Sequence, residues 1–108
     1  MDDPRKERRA RNETSFRTVN EAIADGRPVA DAEKPAPFVC ECGRLGCTEI
    51  VELKPADYQS VRENPRRFVV GVGHDSPDIE RVVAESEGWA VVEKFGEAAK
   101  VAEEEAES

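Results

Sequence analysis

The feature that most limits what this chain can fold into is its set of sulfur and imidazole ligands. Cys40-Glu41-Cys42 is followed by Cys47 and then by the distant His74, and these are all the cysteines and histidines present. Three thiols cannot close into a disulfide framework, whereas thiolates and one imidazole at such spacing suit a tetrahedral zinc cage. The rest of the composition makes a staple of this kind necessary. In 108 residues, 38% are hydrophobic and 37% charged, which leaves little apolar material for a core. A four-ligand structural zinc offsets that shortage, contributing on the order of 10 kcal/mol to the folded state of small zinc peptides.

The formal net charge is −8, and it is unevenly spread. Residues 1–20 carry six basic and four acidic groups, whereas residues 75–108 carry three basic and eleven acidic ones. An acidic whole disfavours non-specific nucleic-acid binding, which needs a net positive surface, although a local contact through the basic end stays open. No apolar run is long enough to span a membrane, and the start Met1-Asp2-Asp3-Pro4-Arg5-Lys6 lacks the apolar stretch of a secretory signal. The expectation is a cytoplasmic protein without a membrane partner, in a compartment where thiols stay reduced.

Local patterns divide the chain into a basic, amphipathic helix (1–26), a Pro-rich linker (27–37), a zinc-stabilised domain (38–96) and an acidic tail (97–108). Asp3-Pro4 reads as a helix start, and breakers are few until Gly26. Phe16, Val19 and Ile23, with Ala22 beside them, make a narrow apolar stripe by which only the second half of this helix would dock. Pro28, Pro35 and Pro37 describe an extended linker with no helix or ladder of its own. Phe38–Cys42 and Cys47–Leu53 read as a hairpin about the turn Gly43-Arg44-Leu45-Gly46, followed by a short helix from Lys54-Pro55 to Asn64-Pro65. Arg67–Val72 reads as a strand that delivers His74. Ile79–Glu85 and Trp89–Phe95 suggest a terminal hairpin whose second strand alternates Trp89, Val91, Glu93 and Phe95, although Ile79–Val83 also fits a short helix capped by Asp78. From Gly96 the Ala- and Glu-rich residues form a frayed helix or an acidic tail.

Within the cluster, Cys40 and Cys42 are two apart in a strand and present their sulfurs to one side, while Gly43 and Gly46 permit the curl that brings in Cys47. His74 completes the cage, and Asp75 could orient its imidazole through the second ring nitrogen. Glu41, alternating with two thiols, reads as a solvent-facing strand residue. Four protein ligands leave no open position for an activated water, and the deaminase pattern that would recruit Glu41 or Glu49 as a base is absent. A lone histidine cannot serve both a metal and a nucleophile, and neither a nucleophile elbow nor a complete phosphate loop is present. Reactive thiols, an iron–sulfur site, or unliganded cysteines are the remaining readings of the cluster. Arg62, Arg66 and Arg67 read as surface residues before they read as a phosphate patch, and Trp89 and Tyr58 read as packing residues before they read as base-stacking platforms.

The succession Phe16-Arg17-x-Val19-Asn20-Glu21, Phe38-Val39-Cys40-Glu41-Cys42, Cys47-Thr48-Glu49, Tyr58-x-x-Val61-Arg62, Pro65-x-x-Phe68, Gly73-His74 and Val91-Val92-Glu93-Lys94 resembles a group of small, largely uncharacterised actinobacterial proteins. The resemblance spans about residues 12–97 and implies that the three cysteines and the histidine act as a unit. It implies no activity.

The fold expected is α+β: a small zinc-stapled antiparallel sheet with an N-terminal helix and one short intervening helix. The function expected is a non-catalytic interaction module, a cytoplasmic regulator of transcription or signalling through contact with a protein partner. Two alternatives stand beside it. One is nucleic-acid contact through Arg5, Lys6, Arg8, Arg9, Arg11 and the arginines near Pro65, and the other is a redox sensor in which oxidation of Cys40 or Cys42 ejects zinc.

Overall fold

A computed structural model describes the backbone of residues 4–44 and 46–107, and their side chains apart from those of 4–11, 14, 106 and 107. The elements in chain order are α1 (Pro4–Asp25), a single 3-10 turn (Val29–Asp31), β1 (Ala36–Val39), β2 (Ile50–Leu53), α2 (Pro55–Arg62), β3 (Arg67–Val70), β4 (Glu80–Ser86), β5 (Trp89–Lys94) and α3 (Gly96–Glu107). The architecture is α+β with antiparallel strands throughout, divided between two sheets. The basic residues proposed for nucleic-acid contact at the start of α1 have side chains outside the described set, as do the expected cap Asp3 and the turn residue Leu45.

β1 and β2 form a two-stranded ribbon with Phe38 opposite Val51 and Ala36 opposite Leu53. The second sheet has the order β3-β5-β4, so β5 is central and pairs Val91 with Val69 and Val92 with both Phe68 and Val82. Ile79–Val83 resolves in favour of the strand, with a register shift between Val82 and Ala84. The expected alternation along β5 does not hold. Ala90, Val91 and Val92 are all buried, Lys94 is buried, and Phe95 is exposed, because a central strand is covered on both faces.

Two apolar clusters hold these layers together. Phe38, Val51, Leu53, Tyr58, Val61, Val69 and Val91 form one, with Phe38 and Tyr58 stacked at 4.8 Å between ring centroids. Phe68, Val70, Ala90, Val92 and Ala102 form the other, together with Cys40 and Cys42. The ribbon and the sheet meet where β1 ends: Cys40 N donates to Glu49 O at 3.0 Å, and Glu41 N donates to Val69 O at 2.8 Å. One strand end is therefore bonded to both sheets. The segment read as a featureless linker contributes more than expected, since it forms the 3-10 turn and begins β1 at the buried Ala36.

The apolar stripe expected on α1 docks only in part, through Ile23, which packs against the Phe38 cluster. Val19 is half exposed, Ala22 is exposed, and Phe16 and Ile23 are only partly covered. The buried face is Glu13, Arg17, Asn20 and Ala24, a spacing that follows one side of a helix. Each polar side chain on it meets a defined partner, although Glu13 Oε1 itself is buried without a hydrogen bond among the described residues. Asn20 Nδ2 donates to Val39 O (2.8 Å) while its Oδ1 accepts from Val39 N (2.9 Å), so the side chain acts as a neighbouring strand would. Arg17 donates to Pro65 O (2.6 Å) and Ala102 O (3.1 Å) and lies over the Phe68 ring. Glu13 pairs with Lys94, which also pairs with Glu80, all three fully buried. α3 packs along α1, while its Ala102 joins the Phe68 cluster and its Ala98 packs with Ile79. The helix and the tail read as separate handles thus pack together as α1 and α3.

A helix docked by hydrogen bonds should be sensitive at its polar positions and tolerant at its apolar ones. Replacing Asn20 by Ala orphans Val39 N–H and C=O and one donor to Glu41, and should cost about 2–3 kcal/mol of stability. Val19→Ala should stay within about 0.5 kcal/mol of the parent. Chemical denaturation of both variants checks this ordering, and equal losses would contradict it.

Candidate metal centre

The site is assembled from two loops, one at the end of each sheet. Beyond Val39 the chain stays extended through Cys42, so alternate side chains point to opposite sides. Cys40 and Cys42 face one way and Glu41 the other. The return to Cys47 is a tight turn bracketed by Gly43 (φ 71°) and Gly46 (φ 83°), a left-handed conformation that glycine adopts without a Cβ penalty. Cys47 N closes the turn on Arg44 O at 3.1 Å. His74 arrives from the end of β3, where its backbone N donates to Gly71 O at 3.0 Å.

The fold brings together all four ligands expected from the sequence. One donor atom from each of Cys40, Cys42, Cys47 and His74 lies within 4.8 Å of the others, a group that could hold a metal ion. His74 Nδ1 is 3.5 Å from Cys40 Sγ and 3.6 Å from Cys47 Sγ. Cys40 and Cys42 are buried, and Cys47 and His74 are partly covered. The second imidazole nitrogen does not meet Asp75 as expected. It lies 3.2 Å from Glu49 Oε2, while the backbone carbonyl of Asp75 accepts a hydrogen bond from Arg44 Nη2 at 2.8 Å.

Burial dominates the electrostatics of the thiols. Desolvation pushes the Cys40 thiol up to about 12, against the opposing effect of backbone N–H groups, including that of Gly71 at 3.2 Å from the sulfur. The Cys42 thiol is raised as well, again chiefly by burial. Without a cation these sulfurs keep their protons at neutral pH, and a bound cation would replace them.

Glu41 overturns its solvent-facing reading. It is 0% exposed. Its Oε1 accepts from Val69 N (2.8 Å), and its Oε2 accepts from Tyr58 Oη (2.7 Å) and Asn20 Nδ2 (2.9 Å). Desolvation holds its carboxyl above the usual carboxylate range despite these donors. Tyr58 is fully buried and Trp89 partly buried against the same cluster, as packing residues. The arginines near Pro65 are engaged with carboxylates: Arg62 with Glu21, Arg66 with Glu103, and Arg67 with Glu93.

The sequence raises Glu49 only as a base without a partner motif, not as a neighbour of His74, and it does not single out the buried group of Glu13, Lys94 and Glu80. A signal for Glu49 existed in its two-residue spacing from Cys47, which in an extended segment puts both on one side. None existed for the buried triad, whose members are far apart in the chain. No family model, curated protein or solved structure matches this chain, so the resemblance noted above is not joined by a family assignment.

Because Cys40 and Cys42 titrate above their ordinary values, the unloaded site is protonated at pH 7 and binding must release those protons. Metal affinity should therefore rise with pH, about tenfold per pH unit for each thiol proton displaced. Chelator competition between pH 6 and pH 8 measures the slope, and a flat response would exclude the buried thiols as ligands.

Proposed function

We propose that the cluster holds one structural zinc ion and that the chain is a non-catalytic, zinc-stabilised module for contact with a protein partner. The observation that carries the metal reading is the convergence of four donors within 4.8 Å of one another, with the two separations at His74 matching those of a tetrahedral site. Bonds of about 2.3 Å to sulfur and about 2.0–2.1 Å to nitrogen, at tetrahedral angles, put those atoms about 3.6 Å apart. The separations at His74 Nδ1 are 3.5 and 3.6 Å. Thiolate and imidazole donors favour zinc over hard, oxygen-seeking cations. Three thiols kept free of disulfides also suit a reducing compartment such as the cytoplasm.

The structural role follows from the ligand count and from where the ligands sit. Four protein donors fill a tetrahedral shell, leaving no position for substrate or water. They tie the loop after β1 to the loop after β3, and so lock the ribbon to the sheet. Glu41 is sealed in hydrogen bonds, which leaves it no proton-transfer partner beside the metal.

The interaction reading is supported by exposed apolar side chains in the segments that carry the ligands. Ile50 is 54% exposed and Val72 is 53% exposed; each lies within three residues of a ligand. A protein partner is favoured over nucleic acid because the chain is acidic and the arginines near Pro65 are already paired with carboxylates.

Metal analysis of the purified chain should find one zinc per molecule. Cys47→Ser should lose that zinc and melt lower by on the order of 10 °C, equivalent to about 2 kcal/mol in a chain of this size. Zinc-free native protein, or a variant that melts with the parent, would refute the metal reading. For the interaction module, Ile50→Asp with Val72→Asp should abolish partner capture while zinc content and melting stay unchanged. Capture that survives this change would move the contact surface elsewhere.

A further inference from the structure

The geometry points to Glu49 as the positioning residue that fixes the tautomer and ring orientation of His74, with Gly71 providing the space in which the Glu49 carboxylate sits. This deepens the metal reading above and rests on it. A neutral imidazole carries one N–H and one lone pair, and the metal takes the lone pair. His74 turns Nδ1 toward two sulfurs, at 3.5 and 3.6 Å. Its proton must then reside on Nε2, and an acceptor stands there: Glu49 Oε2, at 3.2 Å. The opposite tautomer would aim an N–H at the cation's position and set the Nε2 lone pair against those of a carboxylate. Glu49 therefore selects the metal-binding form of the ring. A carboxylate behind the imidazole also makes the ligating nitrogen a stronger donor.

Gly71 is where this arrangement becomes specific to the chain. Its φ lies outside the left-handed region, so its backbone conformation does not require glycine. The constraint is spatial. A Cβ at Gly71 would run into the Glu49 carboxylate, meeting Oε2 first. That is the same oxygen that faces His74. Gly71 also donates its N–H to Cys40 Sγ at 3.2 Å and accepts from His74 N at 3.0 Å. A single residue thereby touches one sulfur ligand, holds the backbone of the nitrogen ligand, and leaves room for the carboxylate that orients it. The ligand loops need Glu49 as well as the four donors to define the site, because His74 is partly exposed and sits in a turn with no strand pairing of its own.

The test compares the full-length chain with Glu49→Ala, Glu49→Gln and Gly71→Ala. Glu49 is half exposed, so its replacement should leave folding intact. Zinc affinity, measured by chelator competition, should fall about 10–100-fold in Glu49→Ala. Gly71→Ala should fall comparably, since the displaced carboxylate loses the ring. Glu49→Gln should fall less, because its amide oxygen still accepts the Nε2 proton. The double variant Glu49→Ala/Gly71→Ala should be no weaker than the worse single variant, because both act through one contact. In cadmium-loaded protein, NMR should show the metal coupled to His74 Nδ1 and a slowly exchanging Nε2 proton that Glu49→Ala loses. Coupling through Nε2, or parental affinity in Glu49→Ala, overturns the assignment of Glu49 while leaving the metal site standing. A parent chain that takes up neither zinc nor cadmium overturns both.

Discussion

The structure depends on the Glu41 carboxylate, buried on the side of the backbone opposite its two neighbouring thiols. Because an extended strand alternates its side chains, the three residues Cys40-Glu41-Cys42 serve two sides at once. The sulfurs face His74 and Cys47 in the candidate metal centre, and the carboxylate faces α1, α2 and β3, where it accepts hydrogen bonds from Asn20, Tyr58 and Val69. Taking a carboxyl fully out of water is unfavourable, which is why its titration is displaced upward, and only several donors in good geometry offset that cost. The ligand cage and the docking of both helices are thereby built on the same short piece of backbone.

The same economy explains the unusual interface of α1. Its inner face carries Glu13, Arg17 and Asn20, which meet the Lys94 ammonium, the carbonyls of Pro65 and Ala102, and the backbone of Val39. Asn20 bonds both backbone groups of Val39, and Arg17 satisfies the carbonyls of Pro65 and Ala102. An apolar helix face in this place would bury the backbone groups of Val39, Pro65 and Ala102 without partners. The Phe68 ring joins the two ionic arrangements: Arg17 lies 4.6 Å and Lys94 4.9 Å from its centroid, where the face of the aromatic ring attracts cations.

Much of the local structure was legible in the sequence, for identifiable reasons. The extents of α1 and α2 follow from Pro4 and Pro55 in their first turns and from Gly26 and Pro65 beyond their ends, which are short-range signals. The four ligands were legible because cysteine and histidine are scarce here, so their grouping carried information that charged residues could not. Charged residues in contrast were misread wherever the reading rested on averages. Glu41 was assigned to solvent and Val19 to the interface, since isolated carboxylates avoid the interior and valines seek it. Partners distant in sequence reversed both. Asp75 was the nearest carboxylate to His74 along the chain, but Glu49 was the nearest in space.

The sequence by itself determined that the chain carries one set of soft ligands, that its elements are short, and that a core this poor in apolar residues needs further ties. Those conclusions depend on residue identity and on spacing along a strand or helix, which neighbours within a few positions decide. Only the tertiary structure decided that the strands separate into two sheets, that α1 docks through polar groups, and that Glu41 and Glu49 stand behind the ligands. These outcomes depend on which groups remain unsatisfied once the sheets have formed. A buried hydrogen bond is worth making only against a specific donor or acceptor at a specific distance, and that distance exists only in the folded chain.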